Sequence, residues 1–200
     1  MANETSTVLS PPPPTAIKKF SAPASAPKPP VVSPTGPEGA FLVELMIYNG
    51  SPFKDHWAYW IFSHTNPDIG VAMDAAGDVR SGFEFQIRRS LDLFDSSNQP
   101  WKRVPLQWVD GKHFDRTKML NGGEFKVDTV PVCGFEASAH KVEVPEKSLN
   151  SVEKMVDTSN AGKKIPLRNC QTWIVESADQ LVKDGIFDQE IATYLQAVQQ

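Results

Sequence analysis

Apolar positions recur with a period of two through the first half of the folded chain. Phe41 to Tyr48 (FLVELMIY) alternates around Phe41, Val43, Leu45 and Ile47, which predicts a strand. Asn49-Gly50-Ser51-Pro52 supplies the turn that ends it. His56 to Ser63 (HWAYWIFS) predicts a second strand, apolar on nearly both faces and therefore central in its sheet. His64 to Asp68 reads as a turn, and Gly70 to Ala75 as a short strand closed by Gly77-Asp78. Gly82 to Arg88 sets Phe83, Phe85 and Ile87 against Glu84, Gln86 and Arg88, the pattern of a half-exposed strand. VPLQWVD, within 101–110, predicts a fifth. Two weaker strand candidates follow, at 124–132 and 139–144.

The period then changes. Asn150, with Glu153 three residues on, has the form of a capping box and predicts a short helix. Cys170 to Val182 carries an apolar stripe of Trp173, Ile174, Ala178, Leu181 and Val182, which predicts an amphipathic helix ending at Gly185. Asp188 caps a last helix, Gln189 to Val198. Strands first and helices last predict an α+β fold with an antiparallel sheet. No internal repeat is present.

Composition sets the boundary of the domain. Ten of the 17 prolines precede Gly39, and Phe20 is the one aromatic residue in 1–39. Such a segment buries too little apolar area to offset its ordering entropy, so 1–39 is expected to be a disordered proline-rich tail. Residues 40–200 form the expected domain. A net charge of −4 gives no general attraction for nucleic acid or anionic lipid. The N-terminus lacks a secretory pattern, and no apolar run is long enough to span a bilayer. Two cysteines make no disulfide framework, which points to a reducing, cytoplasmic setting. Neither metal-ligand spacing nor a phosphate-binding loop occurs, so no metal or cofactor is expected.

The candidate chemistry lies at two helix and strand starts. Cys170 opens the amphipathic helix, where the dipole and unpaired N–H groups favour a thiolate and can hold an oxyanion. Free thiols ionise near about 8.5, and helix termini or a histidinium lower that value. His56 opens the central strand, which would hold it rigidly as a general base. Asp74, on the next predicted strand, can accept the second ring N–H of that imidazole. The bland alternative is a small buried core cysteine, and Cys133 in VPVCGF is read that way. His64 reads as solvated, and His113 and His140 have no motif around them.

His56-Trp57-Ala58-x-x-Ile61, Gly70-x-x-x-Asp74 and Asn169-Cys170-Gln171-x-Trp173 together resemble the circularly permuted NlpC-type branch of the papain-like superfamily. That branch includes lecithin:retinol-acyltransferase-like enzymes and PPPDE-type thiol isopeptidases. The resemblance spans about residues 41–183 through three short motifs. It implies a papain-like sheet packed against C-terminal helices, with Cys170 as nucleophile, His56 as base and Asp74 as orienting group. Asp74 stands where many relatives carry a second histidine, and Gln171 where the acyltransferase relatives carry glutamate.

The expected function is a cysteine-dependent hydrolase of an amide or isopeptide bond, working through an acyl-enzyme. Its partners would be peptide, isopeptide or small-molecule acyl substrates, with no nucleic acid and no integral membrane segment. An acyltransferase on a lipid or small metabolite is the first alternative. A non-catalytic binding module of the same fold is the second. Pro27-Lys28-Pro29-Pro30 would suit a proline-motif partner.

Overall fold

Alternating side chains commit a strand to two faces, and in β1 (Phe41–Tyr48) every residue is buried. A strand buried on both faces must lie inside a sheet with cover on each side. The computed structural model describes residues 27–63, 66–95, 97, 99–147 and 168–200. Its other strands are β2 (His56–Ser63), β3 (Asn66–Asp78), β4 (Gly82–Asp92), β5 (Lys102–Val109) and β6 (Lys126–Asp128). They form one six-stranded sheet in the order β5-β1-β2-β3-β4-β6, with every pairing antiparallel. The helices are α1 (Arg116–Met119), α2 (Gly134–His140), α3 (Cys170–Lys183) and α4 (Gln189–Val198). The architecture is therefore α+β, with the long helices at the C-terminal end. Among the described residues, no helix is long and apolar enough to cross a membrane.

The helices cover one face of the sheet. Leu45, Trp57, Tyr59, Met73 and Ile87 point there and share a core with Phe135, Trp173, Ile174, Leu181 and Leu195. Each fully buried large apolar side chain contributes about 1.5–3 kcal/mol. Leu42, Met46, Trp60, Phe62 and Leu93 point to the other face, with Val32 and Trp108 packed against them. The Trp108 indole donates to the Ser33 carbonyl at 2.8 Å. Gly36 lies so close to that ring that an added Cβ would stand 2.2 Å from it. Residues 27–39 contain no helix or strand, and residues 1–26 lie outside the described set.

Several elements differ from the sequence expectation. The strand expected over Gly70–Ala75 extends to Asn66–Asp78, because its hairpin with β4 continues to Asp78↔Gly82. Pro67 sits near the strand start, where the lost donor costs little. The strand candidate at 124–132 shrinks to three residues of β6. The candidate at 139–144 is overturned: Gly134–His140 is helical, with Phe135, Glu136, Ser138 and Ala139 buried. The buried positions fall as the pairs Phe135-Glu136 and Ser138-Ala139, three and four apart, the spacing of one helix face and not the alternation of a half-buried strand. The helix expected at Asn150 lies outside the described residues, as do His64 and Thr65 of the expected turn.

One buried charge fixes this second half. Arg89 and Glu136 are 1% and 0% exposed. Arg89 donates from Nη1 to Glu136 Oε1 at 2.9 Å and from Nη2 to Oε2 at 3.1 Å. Its Nε reaches Asp128 Oδ2 at 3.1 Å and its Nη2 the Val130 carbonyl at 2.9 Å. Strand β4, the edge strand β6 and helix α2 are thereby tied together. Removing one member strands the other charge in the core. Glu136→Leu should therefore lose about 3–5 kcal/mol in urea unfolding. A loss below about 1 kcal/mol would mean that the guanidinium finds other partners.

Candidate active site

Helix α3 begins at Cys170 because Asn169 leaves the helix there, at φ −145° and ψ −173°. Its Oδ1 accepts from the Thr172 N–H at 3.1 Å, and its own N–H donates to Thr172 Oγ1 at 3.3 Å, a closed capping box. The Trp173 N–H donates to the Asn169 carbonyl at 3.1 Å. Two first-turn donors are thus used. Those of Cys170 and Gln171 have no hydrogen-bond partner among the described residues. They stand at the positive end of the helix, beside the sulfur.

The opposing group comes from the sheet. His56 is the first residue of β2 and pairs with Tyr48 of β1. Asp74 lies on the neighbouring strand, where Tyr59↔Met73 and Trp60↔Ala72 set the register. His56 and Asp74 therefore share one face, and His56 Nε2 stands 2.6 Å from Asp74 Oδ2. The Asp74 carboxyl is 3% exposed and the imidazole 32%. Cys170 is buried, with Sγ 3.9 Å from the Asp55 carbonyl oxygen. It also lies close enough to His56 for its charge to act on the ring. With Nε2 on Asp74, Nδ1 is the ring nitrogen left for the sulfur. The structure thus brings Cys170, His56 and Asp74 together. His140 lies elsewhere, edge-on to Phe85 at 4.8 Å.

Opposing effects set the charge of His56. Burial pulls its proton affinity down, but the hydrogen bonds to Asp74 and Cys170 and the negative charge of both outweigh it. The net result is a pKa pushed up to about 9, so the ring is an imidazolium at neutral pH. Cys133 differs in kind: burial, then the Glu136 carboxylate, push its thiol up to about 11. It is an inert half-buried side chain.

Three residues take parts that the sequence did not reveal. Arg88 Nη2 donates to Asp74 Oδ2 at 3.1 Å, so the carboxylate serves two cations. The hairpin register that pairs Asp74 with Gln86 sets Arg88 opposite Ala72, two residues from Asp74 on the same face. Alternation alone showed Arg88 as one member of a polar face. Gln171 and Gln200, 29 residues apart, meet at Asp55. No local pattern signals that contact. Beside them lies a cavity of about 480 Å³, walled by Ile47, Trp57, Trp101, Tyr194 and Val198 and by Pro27, Pro29 and Pro30. Asp55 and Gln200 form part of its wall, whereas Cys170 and His56 do not. Among the described residues, no cluster of His, Cys, Asp and Glu could hold a metal ion.

These features belong to a thiol–imidazole–carboxylate constellation on an α+β frame. Residues 43–188 match DUF6540, a family of unknown function, and the chain belongs to that family. No curated protein and no solved structure matches the chain.

The raised proton affinity of His56 links the site to pH. A group that binds its proton more tightly when folded stabilises the fold fully below its unfolded pKa, here about 6.5. That contribution fades as pH rises through about 9. The Tm difference between the native protein and His56→Gln should therefore be largest near pH 6 and shrink by pH 9.5. In Asp74→Asn the NMR titration midpoint of His56 should fall. A midpoint unchanged by Asp74→Asn would mean that the 2.6 Å contact does not govern the ring.

Proposed function

We propose that the protein is a cysteine-dependent hydrolase of an amide or isopeptide bond in a papain-like arrangement. The observation that carries this reading is the 2.6 Å contact of His56 with Asp74, made where the charge of Cys170 at a helix start also acts on the ring. An imidazolium and a helix N-terminus both favour the thiolate over the thiol.

The steps follow from these placements. The Cys170 thiolate attacks the substrate carbonyl carbon, a C–S bond forms, and the carbonyl π electrons move to oxygen. The N–H groups of Cys170 and Gln171 are oriented to receive that oxyanion. The tetrahedral intermediate collapses, the C–N bond breaks, and the amine leaves with the proton of His56. Water then attacks the thioester while the neutral imidazole takes its proton. Collapse releases the acid and restores the thiolate–imidazolium pair. Asp74 keeps the ring oriented and stabilises its charged form. Both cysteines are free thiols, which suits a reducing, cytoplasmic setting.

Two measurements test the reading. At pH 7, iodoacetamide should label Cys170 at least about tenfold faster than Cys133, and His56→Ala should remove most of that advantage. Acid quenching during turnover of an amide or isopeptide panel should leave an acyl adduct on Cys170, detected by peptide mass spectrometry. Product analysis with an added amine separates hydrolysis from acyl transfer. Equal labelling of the two cysteines would overturn the nucleophile assignment. Cys170→Ser should abolish turnover with little change in Tm. Retained turnover in that variant would do so as well.

A further inference from the structure

We propose that Gln171 and Gln200 are positioning residues that hold the peptide between Asp55 and His56 against the start of α3, and so set how His56 meets Cys170. The inference rests on the reading of Cys170 and His56 as a reactive pair. It gives the side chain of Gln171 a role separate from the oxyanion contact of its backbone N–H.

Asp55 precedes His56 and is gripped at every polar group. Its carbonyl accepts from Gln171 Nε2 at 2.8 Å. Its N–H donates to Gln200 Oε1 at 3.0 Å. Its Oδ2 accepts from Gln200 Nε2 at 2.9 Å, and its Oδ1 from the Gly50 N–H at 3.2 Å. The two glutamines also bind each other: Gln171 Nε2 donates to Gln200 Oε1 at 3.1 Å, and the Gln200 N–H to Gln171 Oε1 at 3.0 Å. Lys54 Nζ donates to the Gln200 carbonyl. The ring closes between β2, α3 and the chain following α4.

A fully buried amide needs all its hydrogen bonds satisfied, and that of Gln171 is. Both its hydrogens and its oxygen are engaged within the ring, so no donor remains for an oxyanion. Its position after Cys170 has another use. The Asp55 carbonyl that it holds lies 3.9 Å from Cys170 Sγ. A carbonyl oxygen so near a sulfur accepts from a thiol and repels a thiolate. The Gln171 N–H draws on that oxygen and fixes its direction, which weakens its preference for the thiol. The same bond anchors the backbone from which the imidazole projects. Orientation and charge state of the pair thus share one support.

Gln171→Met keeps the length of the side chain and removes its donors. Gln200→Ala alters an exposed residue and leaves the Gln171–Asp55 bond in place. The measurement is the pH profile of iodoacetamide alkylation at Cys170, with Cys133 as internal reference and Tm recorded in parallel. Gln171→Met should move the midpoint upward by about one pH unit, an approximately tenfold loss of labelling on the acid side. Gln200→Ala should move it in the same direction by less, with Tm nearly unchanged. A side chain that merely filled space would lower Tm and leave the midpoint alone. If Gln171→Met does not fold, Gln200→Ala decides, and an unmoved midpoint there overturns the inference. A native protein whose Cys170 labels fast, with unmoved midpoints in both variants, overturns this inference alone. A native protein whose Cys170 labels no faster than Cys133 overturns the reactive pair together with its support.

Discussion

The docking of α3 onto β2 is the contact on which the molecule depends. Trp173 and Ile174 are wholly buried against the sheet, and Tyr59 meets them from below. The Tyr59 hydroxyl donates to the Ile174 carbonyl at 2.9 Å and lies 3.2 Å from Ser177 Oγ. Around that ring stand Trp173, Phe135 and Phe187 at 6.3, 5.9 and 6.0 Å, all edge-on. The polar bond sets the register of the helix, and the aromatic packing supplies the larger share of the energy. The placement of the first turn of α3, the sulfur included, follows from where that contact seats the helix and where Asn169 begins it.

The sheet imposes the complementary constraint. A side chain on a strand can face only two ways, so His56, Asp74 and Arg88 share a face only while the registers of β2, β3 and β4 hold. The carboxylate they share is nearly inaccessible to water, and its charge must be compensated by those two cations. His56 is thereby held in its charged form by a fold-wide condition: three strands in register on one side, and one helix start on the other.

Much of the frame could be read in the sequence. The limits of β1, Phe41–Tyr48, and of α4, Gln189–Val198, are those that the periodicity predicts, although the Asp188 side chain makes no capping hydrogen bond, and α3 begins at Cys170 as expected. Cys170 and His56 could be singled out because each opens an element visible in the chain, and Asp74 because it lies on the strand that follows His56. The region after Val109 resisted, because its elements are short and held by tertiary contacts. Helix α2 spans seven residues, too few to reveal a period, and its anchor is a salt bridge to a residue 47 positions earlier. Arg88 and the two glutamines escaped for the same reason. Their roles depend on a diagonal contact between neighbouring strands and on a long-range return of the chain, neither of which leaves a local pattern.

The distribution of indoles has an optical consequence. Of five tryptophans, Trp57, Trp60 and Trp173 are fully buried, whereas Trp101 is 62% exposed. Trp101 and Trp57 both line the cavity beside Asp55. The three enclosed rings give emission from an apolar surround, and Trp101 adds a component that water shifts to the red. A molecule entering the cavity displaces water from the Trp101 ring and leaves the enclosed rings in place. Occupancy of that space is therefore legible in the intrinsic fluorescence of the unlabelled protein, as a blue shift of one component out of several.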